Sequence, residues 1–443
     1  MDGELREVIS RKIVDGLSME VVPFTRRDIR LPAVPGKVMA VIGMRRVGKT
    51  TFLWQCLTDR LAAGTPREAL LYFNFEDERL AGLKVGDLQW LPEMYYGLHP
   101  AFRDSRSVTF FLDEMQTVPG WETFVRRLLD TERIDLFISG SSARLLSREV
   151  ATSMRGRALE ARVHPFGFRE ALRHQQAEPD KPWERLPKAG RSSIEKRLRE
   201  YLVAGGFPEA QGIPDRDRPA LLRSYVDVAL LRDVIERHAV SNPTVLRWML
   251  QHLLGNPAAN FSVQKFHDAL KSQGIPVSKD TVHAYLGHLQ DALIIRTITI
   301  YTSSERQRMV NPRKAYPADT GLIPIYERAG RANIGHALET AVMLELDRRD
   351  AEVAYVRTAA GREVDFHARL PDGSTWLLQV CADAGSSKTL QREIRALQEA
   401  AAAFPDAIPL LVTLDPFPPP GLPDPLRWQH AAAWLLGSRI EDG

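Results

Sequence analysis

The stretch VIGMRRVGKTT (residues 41–51) decides the fold, because it holds the complete pattern G-x-x-x-x-G-K-[ST] from Gly43 to Thr50. The apolar run KVMAVI (37–42) precedes it and TTFLWQCLTDRLAA (50–63) follows, which predicts a strand, a glycine-rich turn and a helix. In that arrangement the backbone N–H groups of the turn and the positive end of the helix dipole face a bound phosphate. The stretch therefore predicts a phosphate-binding loop.

The residue types in this loop indicate ATP and Mg²⁺ as cofactors. Lys49 supplies a mobile cation for the β- and γ-phosphates, and Thr50 supplies a hydroxyl ligand for Mg²⁺. The alternative, a glycine-rich turn without a ligand, does not explain why a buried strand and a helix flank the pattern. The residues predicted to bind the nucleotide are Gly43, Arg46, Val47, Gly48, Lys49, Thr50 and Thr51.

A second motif, VTFFLDE (108–114), is an apolar strand that ends in two carboxylates. Asp113 at the strand end is predicted to hold Mg²⁺ through water, and Glu114 to orient and polarise the attacking water. Two acidic residues at a strand end are otherwise an ordinary solvated loop entry. The complete phosphate-binding loop upstream favours the catalytic interpretation.

The fourth predicted strand, IDLFISG (134–140), lies in the sheet between the strands of the two motifs. Ser139 at its end is predicted to contact the γ-phosphate or the water, as a sensor. A helix N-cap serine is the alternative, and Ser141 or Ser142 is the preferred cap.

Two arginines, Arg155 and Arg157, flank Gly156 beyond this strand. An exposed arginine here could act in trans as an arginine finger within a ring of subunits. A solvated arginine-rich loop explains the same residues equally well.

The predicted fold class is α/β with several domains. An N-terminal core contains a parallel sheet with strands at 37–42, 70–75, 108–114 and 134–140, because continuous apolar strands suit a sheet covered on both faces. Three helices (243–255, 262–273 and 278–291) and the strand 293–301 have the winged-helix order. The predicted divisions are 1–36 (helical segment), 37–172 (core), 173–240 (helical lid), 241–305 (winged helix), 306–334 (linker) and 335–443 (second α/β unit).

The overall composition says more about the cellular compartment of the protein than about its binding partner. The net charge is +3 and 26% of residues are charged, so overall charge does not decide for or against nucleic acid. Cys56 and Cys381 match no metal or redox spacing, which suits a reduced compartment. We find no signal peptide and no membrane-spanning run, so a soluble cytoplasmic protein is expected.

These motifs, together with YFNFED (72–77), ISGSSARLLS (138–147), YLVAGGFPEA (201–210), KAYPADTGL (314–322) and GREVDF (361–366), resemble a family. The chain looks like the bacterial and archaeal AAA+ ATPases that carry a winged-helix segment and a C-terminal domain similar to PD-(D/E)xK nucleases. The resemblance implies the ATPase roles given above and favours Arg157 as the finger. It also implies a ring, expected to be a hexamer, and a link to branched or double-stranded DNA.

The nuclease-like domain departs from the pattern that cleavage requires. A PD-(D/E)xK nuclease needs an Asp on one strand and Glu-x-Lys on the next, to bind Mg²⁺ and activate water. Glu339 and Asp365 stand at suitable places, but Gln379-Val380-Cys381 replaces Glu-x-Lys. Lys388 lies further on in a Gly-Ser turn. A degenerate domain that binds DNA or a partner, or packs the ring, is therefore the expectation.

The candidate DNA-binding surface is only modestly basic. Backbone contacts are expected rather than base readout. Three functions remain open: an ATP-driven machine that remodels DNA, a nucleotide-dependent regulatory or defence switch that binds protein, and an ATP-dependent nuclease. The polar residues of the second and third helices considered for DNA contact are Lys265, Lys271, Lys279, His283, Tyr285 and His288.

Overall fold

The computed structural model describes residues 3–32, 34–103, 107–141, 156–327, 333–382 and 387–437, without the side chains of Ser141 and Ser387. The chain folds into two compact units, Met1–Val163 and His164–Gly443. Within the described residues, no helix has both the length and the apolar composition that a membrane span requires.

The first unit contains a parallel five-stranded sheet in the order β2-β3-β4-β1-β5. All residues of β1 and β3 are buried, as expected for parallel strands covered on both faces. The order confirms that β4 lies between β1, which leads into the phosphate-binding loop, and β3, which carries the acidic pair. The strands are β1 (Val38–Gly43), β2 (Leu70–Asn74), β3 (Val108–Asp113), β4 (Ile134–Ser141) and β5 (Ala158–Arg162).

The fifth strand is a feature that the sequence did not predict. β5 pairs with β1 alone, at the edge of the sheet. Only Ala161 in it is fully buried. Because an edge strand can carry polar side chains along most of its length, the sequence ALEAR (158–162) lacks the apolar run that marks the other four strands.

The helices of the first unit include one that the sequence had placed outside the core. The first helix buries Ile9 and Ile13 in the same hydrophobic cluster as the sheet residues Leu71 and Phe73. The helix Gly3–Ser18, within the predicted segment 1–36, therefore packs on the sheet of the first unit, which covers the apolar stripe of the helix. The helices are α1 (Gly3–Ser18), α2 (Lys49–Ala62), α3 (Trp90–Leu98) and α4 (Trp121–Thr131).

The second unit begins at His164 rather than after residue 172. Phe166, Phe168 and Leu172 are buried in one cluster with Leu198 and Leu338, which lie far along the chain in this unit. The helices up to the three-stranded sheet are α5 (Phe168–His174), α6 (Lys188–Ala204), α7 (Arg218–Ala229), a π-helical turn (Leu230–Ile235), α8 (Pro243–Gly255), α9 (Val263–Ser272) and α10 (Lys279–Asp291).

A small antiparallel sheet follows these helices, in the order β6-β8-β7. Its strands are β6 (Asn260–Phe261), β7 (Ile295–Ile298) and β8 (Arg313–Pro317), with the short helices α11 (Glu305–Val310) and α12 (Ile323–Tyr326) on either side of β8. The range 306–334, expected to be a linker, contains β8, which is the central strand of this sheet. Lys314 in this strand is buried.

The C-terminal part of the second unit is a mixed sheet in the order β13-β12-β11-β10-β9. β10 pairs antiparallel with β9 and β11, and β12 pairs parallel with β11 and β13. Helix, three strands, helix and strand succeed each other as the sequence predicted. The elements are α13 (Ile334–Arg348), β9 (Glu352–Arg357), β10 (Glu363–Arg369), β11 (Thr375–Cys381), α14 (Ser387–Ala403), β12 (Ile408–Thr413), β13 (Arg427–His430) and α15 (Ala431–Leu435).

Two motifs without an assigned role meet in the interior of this unit. The Asp319 carboxylate accepts hydrogen bonds from the backbone N–H groups of Gly206, at 2.6 Å, and Gly321, at 2.9 Å. Burial raises the pKa of Asp319 to about 6, although both N–H groups oppose the rise. The segments AGGFPEA (204–210) and ADTGL (318–322) are therefore a packing junction of the second unit.

Candidate nucleotide site

The backbone of the loop between β1 and α2 is curled as a phosphate-binding loop requires. Arg46 and Gly48 have positive φ angles of 67° and 92°, and Gly48 is the residue directly before α2. Glycine adopts such angles without steric cost. The loop therefore turns sharply into the N-terminus of α2, where free N–H groups and the helix dipole favour an anion.

The Lys49 side chain lies folded over this loop. Its ammonium group lies 3.3 Å from the carbonyl oxygens of both Gly43 and Met44, and 4.0 Å from Glu114 Oε1. Only 6% of the residue is exposed. The cation thus lies at the mouth of the loop between the strand end and the second acidic residue, where the phosphates of a nucleotide would meet it.

The remaining predicted loop residues divide into buried and exposed ones. Val47 is buried, and its carbonyl oxygen accepts a hydrogen bond from Arg27 Nη1 at 2.9 Å. Arg46, Thr50 and Thr51 are exposed. Exposure suits side chains that would contact a ligand rather than pack the core.

Asp113, the last residue of β3, is the centre of a hydroxyl network. Its Oδ2 accepts hydrogen bonds at 2.7 Å from Thr50 Oγ1 and from the phenol of Tyr72, and its Oδ1 accepts one from Ser139 Oγ. The residue is fully buried. Three donors from α2, β2 and β4 therefore fix the direction of this carboxylate, and the two residues predicted to hold Mg²⁺ are brought into contact.

Glu114 leaves β3 in an unusual backbone conformation. Its φ angle is 53°, which non-glycine residues adopt rarely. The Gln116 amide donates a hydrogen bond to Oε2, while Oε1 faces Lys49. Burial raises the pKa of Glu114 above its ordinary value; Lys49 opposes this shift and Asp113 adds to it. A raised pKa brings a carboxylate closer to the range of a useful general base.

Ser139 has a position different from the one expected of a sensor. Its hydroxyl donates to Asp113 and accepts a hydrogen bond from the backbone N–H of Glu114 at 3.1 Å, and the residue is fully buried. Ser139 therefore links the two acidic residues to each other. Ser141 or Ser142 is the predicted helix N-cap. The structure does not describe the side chain of Ser141, and Ser142 lies outside the described residues.

Two contributors to the site were missed by sequence reasoning. Tyr72 donates to Asp113 and packs its ring on Trp54, with ring centroids 4.2 Å apart. The Arg27 backbone exchanges hydrogen bonds with the Gln55 side chain, at 2.7 and 3.1 Å, while its guanidinium braces the loop at Val47. A tyrosine inside an apolar strand and an arginine before the first strand carry no sequence signal for these roles.

The residues present fit a nucleotide with Mg²⁺. The loop N–H groups and Lys49 would hold the phosphates, and Thr50 with Asp113 would hold the metal, since Mg²⁺ in such sites takes one or two carboxylates and completes its shell with phosphates and water. Among the described residues no group of three or more His, Cys, Asp or Glu side chains could hold a metal without such a ligand. The fit is therefore to a metal that arrives with its nucleotide.

Arg157 lies at the other end of the sheet. It directly precedes β5, and its backbone carbonyl accepts from Val38 N at the start of β1, at 2.8 Å. Its guanidinium pairs with Asp130, and 40% of the side chain is exposed. Because β1 and β5 are parallel, Arg157 is separated from the loop at the opposite strand ends by roughly 15 Å or more. Arg155 lies outside the described residues.

Known proteins and domain families match this chain over part or most of its length. A family model described as an AAA domain matches residues 35–172, and one described as a domain of unknown function (DUF8612) matches residues 195–330. The uncharacterized protein MJ1544 of Methanocaldococcus jannaschii is 33% identical over 380 residues, which are 84% of this chain and 81% of that protein. This chain belongs to the same family. An uncharacterized protein of Haemophilus influenzae is 28% identical over 335 residues, covering 76% and 80% of the two chains.

Solved structures resemble the chain more distantly. The Walker-type ATPase PABY2304 of Pyrococcus abyssi matches 72% of this chain and 95% of its own, with 16% identity and a TM-score of 0.40. AMPPCP-bound DnaA from Aquifex aeolicus matches 64% of this chain and 86% of its own, with 13% identity and a TM-score of 0.24.

Proposed function

We propose that this protein is an AAA+ ATPase that hydrolyses ATP to ADP and phosphate in the presence of Mg²⁺. The observation that carries the proposal is the arrangement at the loop mouth, where Lys49, the Thr50–Asp113 pair and Glu114 meet. Each provides one part that phosphoryl transfer to water requires.

The roles follow from the contacts. Lys49 binds the β- and γ-phosphates, and Thr50 with Asp113 holds Mg²⁺, which when bound neutralises charge on the phosphate oxygens. Glu114 orients and deprotonates the attacking water. Gln116 holds one oxygen of Glu114, and Ser139 supports the backbone at the same residue. We therefore assign Ser139 a positioning role rather than direct contact with the γ-phosphate.

Phosphate release from ATP tests the assignment directly. Glu114→Gln should bind ATP as the wild type does and lose turnover by about 10²- to 10⁴-fold, the usual contribution of a general base. Lys49→Ala should lose ATP binding. Exchange of the exposed Arg133, which precedes β4 at the far ends of the strands, for alanine serves as the control and should change neither property. Wild-type turnover in Glu114→Gln would disprove the catalytic assignment.

We also propose that subunits assemble into a ring in which Arg157 completes the site of a neighbour. Its distance from the loop of its own chain supports a role in trans. Surface ion pairs contribute only about 0–1 kcal/mol, so Arg157 could leave Asp130 at little cost. A hexamer is the expected ring, and mass measurement with and without ATP tests the number of subunits.

We also propose that the binding partner is DNA. A winged helix formed by α8–α10 and β6–β8 would bind the DNA backbone. Exposed Lys265, Lys271 and Lys279 support it. Tyr285 and His288 do not: Tyr285 is buried and accepts a hydrogen bond from Asn242 N at 3.0 Å, and the His288 ring stacks on His238 at 3.7 Å.

An ATPase assay with linear and branched DNA distinguishes this proposal from a protein-directed switch. DNA should stimulate hydrolysis, and the effect should fall steeply with salt because cations on the protein displace counterions from phosphates. The triple replacement of Lys265, Lys271 and Lys279 by alanine should reduce stimulation, while Lys388→Ala, an exposed lysine on α14, serves as the control. Hydrolysis that is indifferent to DNA would favour the switch.

A further inference from the structure

A buried lysine lies among three carboxylates in the second unit. The Lys314 ammonium is 2.9 Å from Glu339 Oε1, 2.9 Å from Glu363 Oε1 and 3.1 Å from Asp365 Oδ1. Only 2% of the lysine is exposed. The Tyr316 phenol donates to Glu339 Oε1 at 2.9 Å. We call Glu339, Glu363 and Asp365 the carboxylate cluster.

The cluster joins elements of two sheets through one cation. Lys314 belongs to β8 of the small sheet, Glu339 to α13, and Glu363 and Asp365 to β10 of the mixed sheet. The pairing of β10 with β9 shifts register between Val364 and His367, an interval that contains Asp365 and Phe366. Glu363 and Asp365 are two residues apart on β10, so the alternation of side chains along a strand places both on the face that meets Lys314.

Both oxygens of Asp365 already have donors. Oδ1 accepts from Lys314, while Oδ2 accepts from Gln379 Nε2 at 2.9 Å and from Val380 N at 3.0 Å. The Gln379 amide also donates to Glu393 Oε2 at 2.7 Å. The residue at the position of the nuclease glutamate is therefore a donor to the carboxylate rather than a ligand for a metal.

The Mg²⁺ that nuclease resemblance implies does not fit these residues. Gln379 contributes no negative charge, Cys381 on the same strand is buried, and Lys388 is exposed on α14. The cation that faces Asp365 comes instead from β8, which is outside the nuclease-like α/β elements. The cluster consequently has its positive charge supplied by the chain itself.

The charges of the cluster keep this lysine protonated. Burial alone lowers a lysine pKa, but Asp365 and Glu339 outweigh it and hold the pKa of Lys314 well above its ordinary value. Burial, with Asp365 beside it, raises the pKa of Glu339 to about 7, against the pull of Lys314. Burial tends to raise the pKa of Glu363 as well, but the charge of Lys314 outweighs burial and the pKa of Glu363 is lowered.

We propose that Lys314 is the resident cation of the carboxylate cluster, where it takes the place of a divalent metal and fastens β8 to the mixed sheet. The wild-type site then binds no divalent metal, and the nuclease-like domain is a metal-independent packing or binding module. This proposal is independent of ATP hydrolysis at the loop.

Removing the charge tests the proposal in the full chain without nucleotide. Lys314→Met keeps most of the side-chain volume but leaves three carboxylates without a cation. We expect the unfolding temperature in EDTA to fall on the order of 10 °C, because one partner of a buried ion pair is lost. Mn²⁺ should raise it again saturably, whereas the wild type should not respond through this site. Any Mn²⁺ that binds elsewhere on the chain is common to both proteins and cancels in the comparison.

Further variants keep the test decisive if Lys314→Met does not fold. The double variant Lys314→Met with Glu339→Gln lowers the excess charge and should recover part of the stability without metal. Lys279→Met, an exposed lysine of the same unit, is the control and should unfold as the wild type does. Calorimetric titration with Mn²⁺ compares the wild type with Asp365→Asn. The wild type must show no binding event that is lost in this variant. Such binding, or Lys314→Met as stable as Lys279→Met, would overturn the proposal.

Discussion

Replacing Tyr72 with phenylalanine removes one hydroxyl and leaves the ring that packs on Trp54. The lost bond, 2.7 Å to Asp113 Oδ2, joins a neutral donor to a carboxylate. Hydrogen bonds to charged groups contribute about 1.5–3 kcal/mol. If the whole loss is expressed in the transition state, the rate falls by about 10- to 100-fold, because 1.4 kcal/mol corresponds to about a factor of ten.

The chain offers a matched control in Tyr95→Phe. Tyr95 is also buried in the first unit, and its hydroxyl donates a bond of the same length, 2.7 Å, to the backbone carbonyl of Glu68. Both variants lose one buried hydroxyl and one hydrogen bond, so both should unfold at a somewhat lower temperature. Only Tyr72→Phe alters the direction of the Asp113 carboxylate, and only it should slow hydrolysis.

Steady-state phosphate release at a series of Mg²⁺ concentrations separates these effects. Tyr72→Phe should require more Mg²⁺ for half-maximal rate and reach a lower maximum. Binding of a fluorescent ATP analogue without Mg²⁺ should stay as in the wild type, because Tyr72 does not touch the loop among the contacts described. Equal rates and equal Mg²⁺ dependence in Tyr72→Phe and Tyr95→Phe would refute the positioning role.

Two further predictions concern the packing junction and the ring. Gly205→Ala should destabilise the second unit by on the order of 3 kcal/mol or more, since the new Cβ would lie 1.8 Å from Asp319 Oδ1 at a φ of 77°. Gly212→Ala is the control: its φ is 74°, but no atom lies within 4 Å of the new Cβ, so only the strain of the backbone angle should destabilise it. Equal free energies of unfolding for the two variants, measured by chemical denaturation, would contradict the packing role of the junction. In an equal mixture of inactive Arg157→Ala and Glu114→Gln subunits, about a quarter of ring interfaces should regain an intact site. Phosphate release measures the recovery, and its absence would argue against a finger in trans.

The placement of the loop and of the acidic pair could be predicted because local sequence determines the turn after β1 and the end of β3. A complete G-x-x-x-x-G-K-[ST] pattern after an apolar strand leaves few alternative structures, and the end of β3 brings Asp113 to the same edge of the sheet as Thr50. The same reasoning predicted that β4 lies between β1 and β3, but it did not predict β5. An edge strand with only one fully buried residue has no periodicity to read.

The partners of these residues could not be predicted, because they depend on contacts between segments far apart in sequence. Tyr72 looks like an ordinary strand residue until β2 is placed beside β3. Lys314 looks like a polar linker residue until β8 becomes the centre of a sheet and α13 and β10 bring carboxylates to it. A buried lysine requires nearby carboxylates to offset the cost of removing its charge from water, and sequence alone does not show which carboxylates lie nearby.

The Asp113 carboxylate connects the phosphate-binding loop to more of the first unit than the loop backbone alone does. Its donors come from α2, β2 and β4, and through Ser139 it is linked to the backbone of Glu114. A ligand that draws Thr50 away from Asp113 must therefore change the balance of the bonds made by Tyr72 and Ser139. Because Ser139 also supports Glu114 at its positive φ angle, the same change reaches the residue proposed to activate water. If the proposed roles hold, occupancy of the metal position and orientation of the proposed base are coupled through one buried carboxylate, and this coupling is the reason to expect that Tyr72 affects hydrolysis.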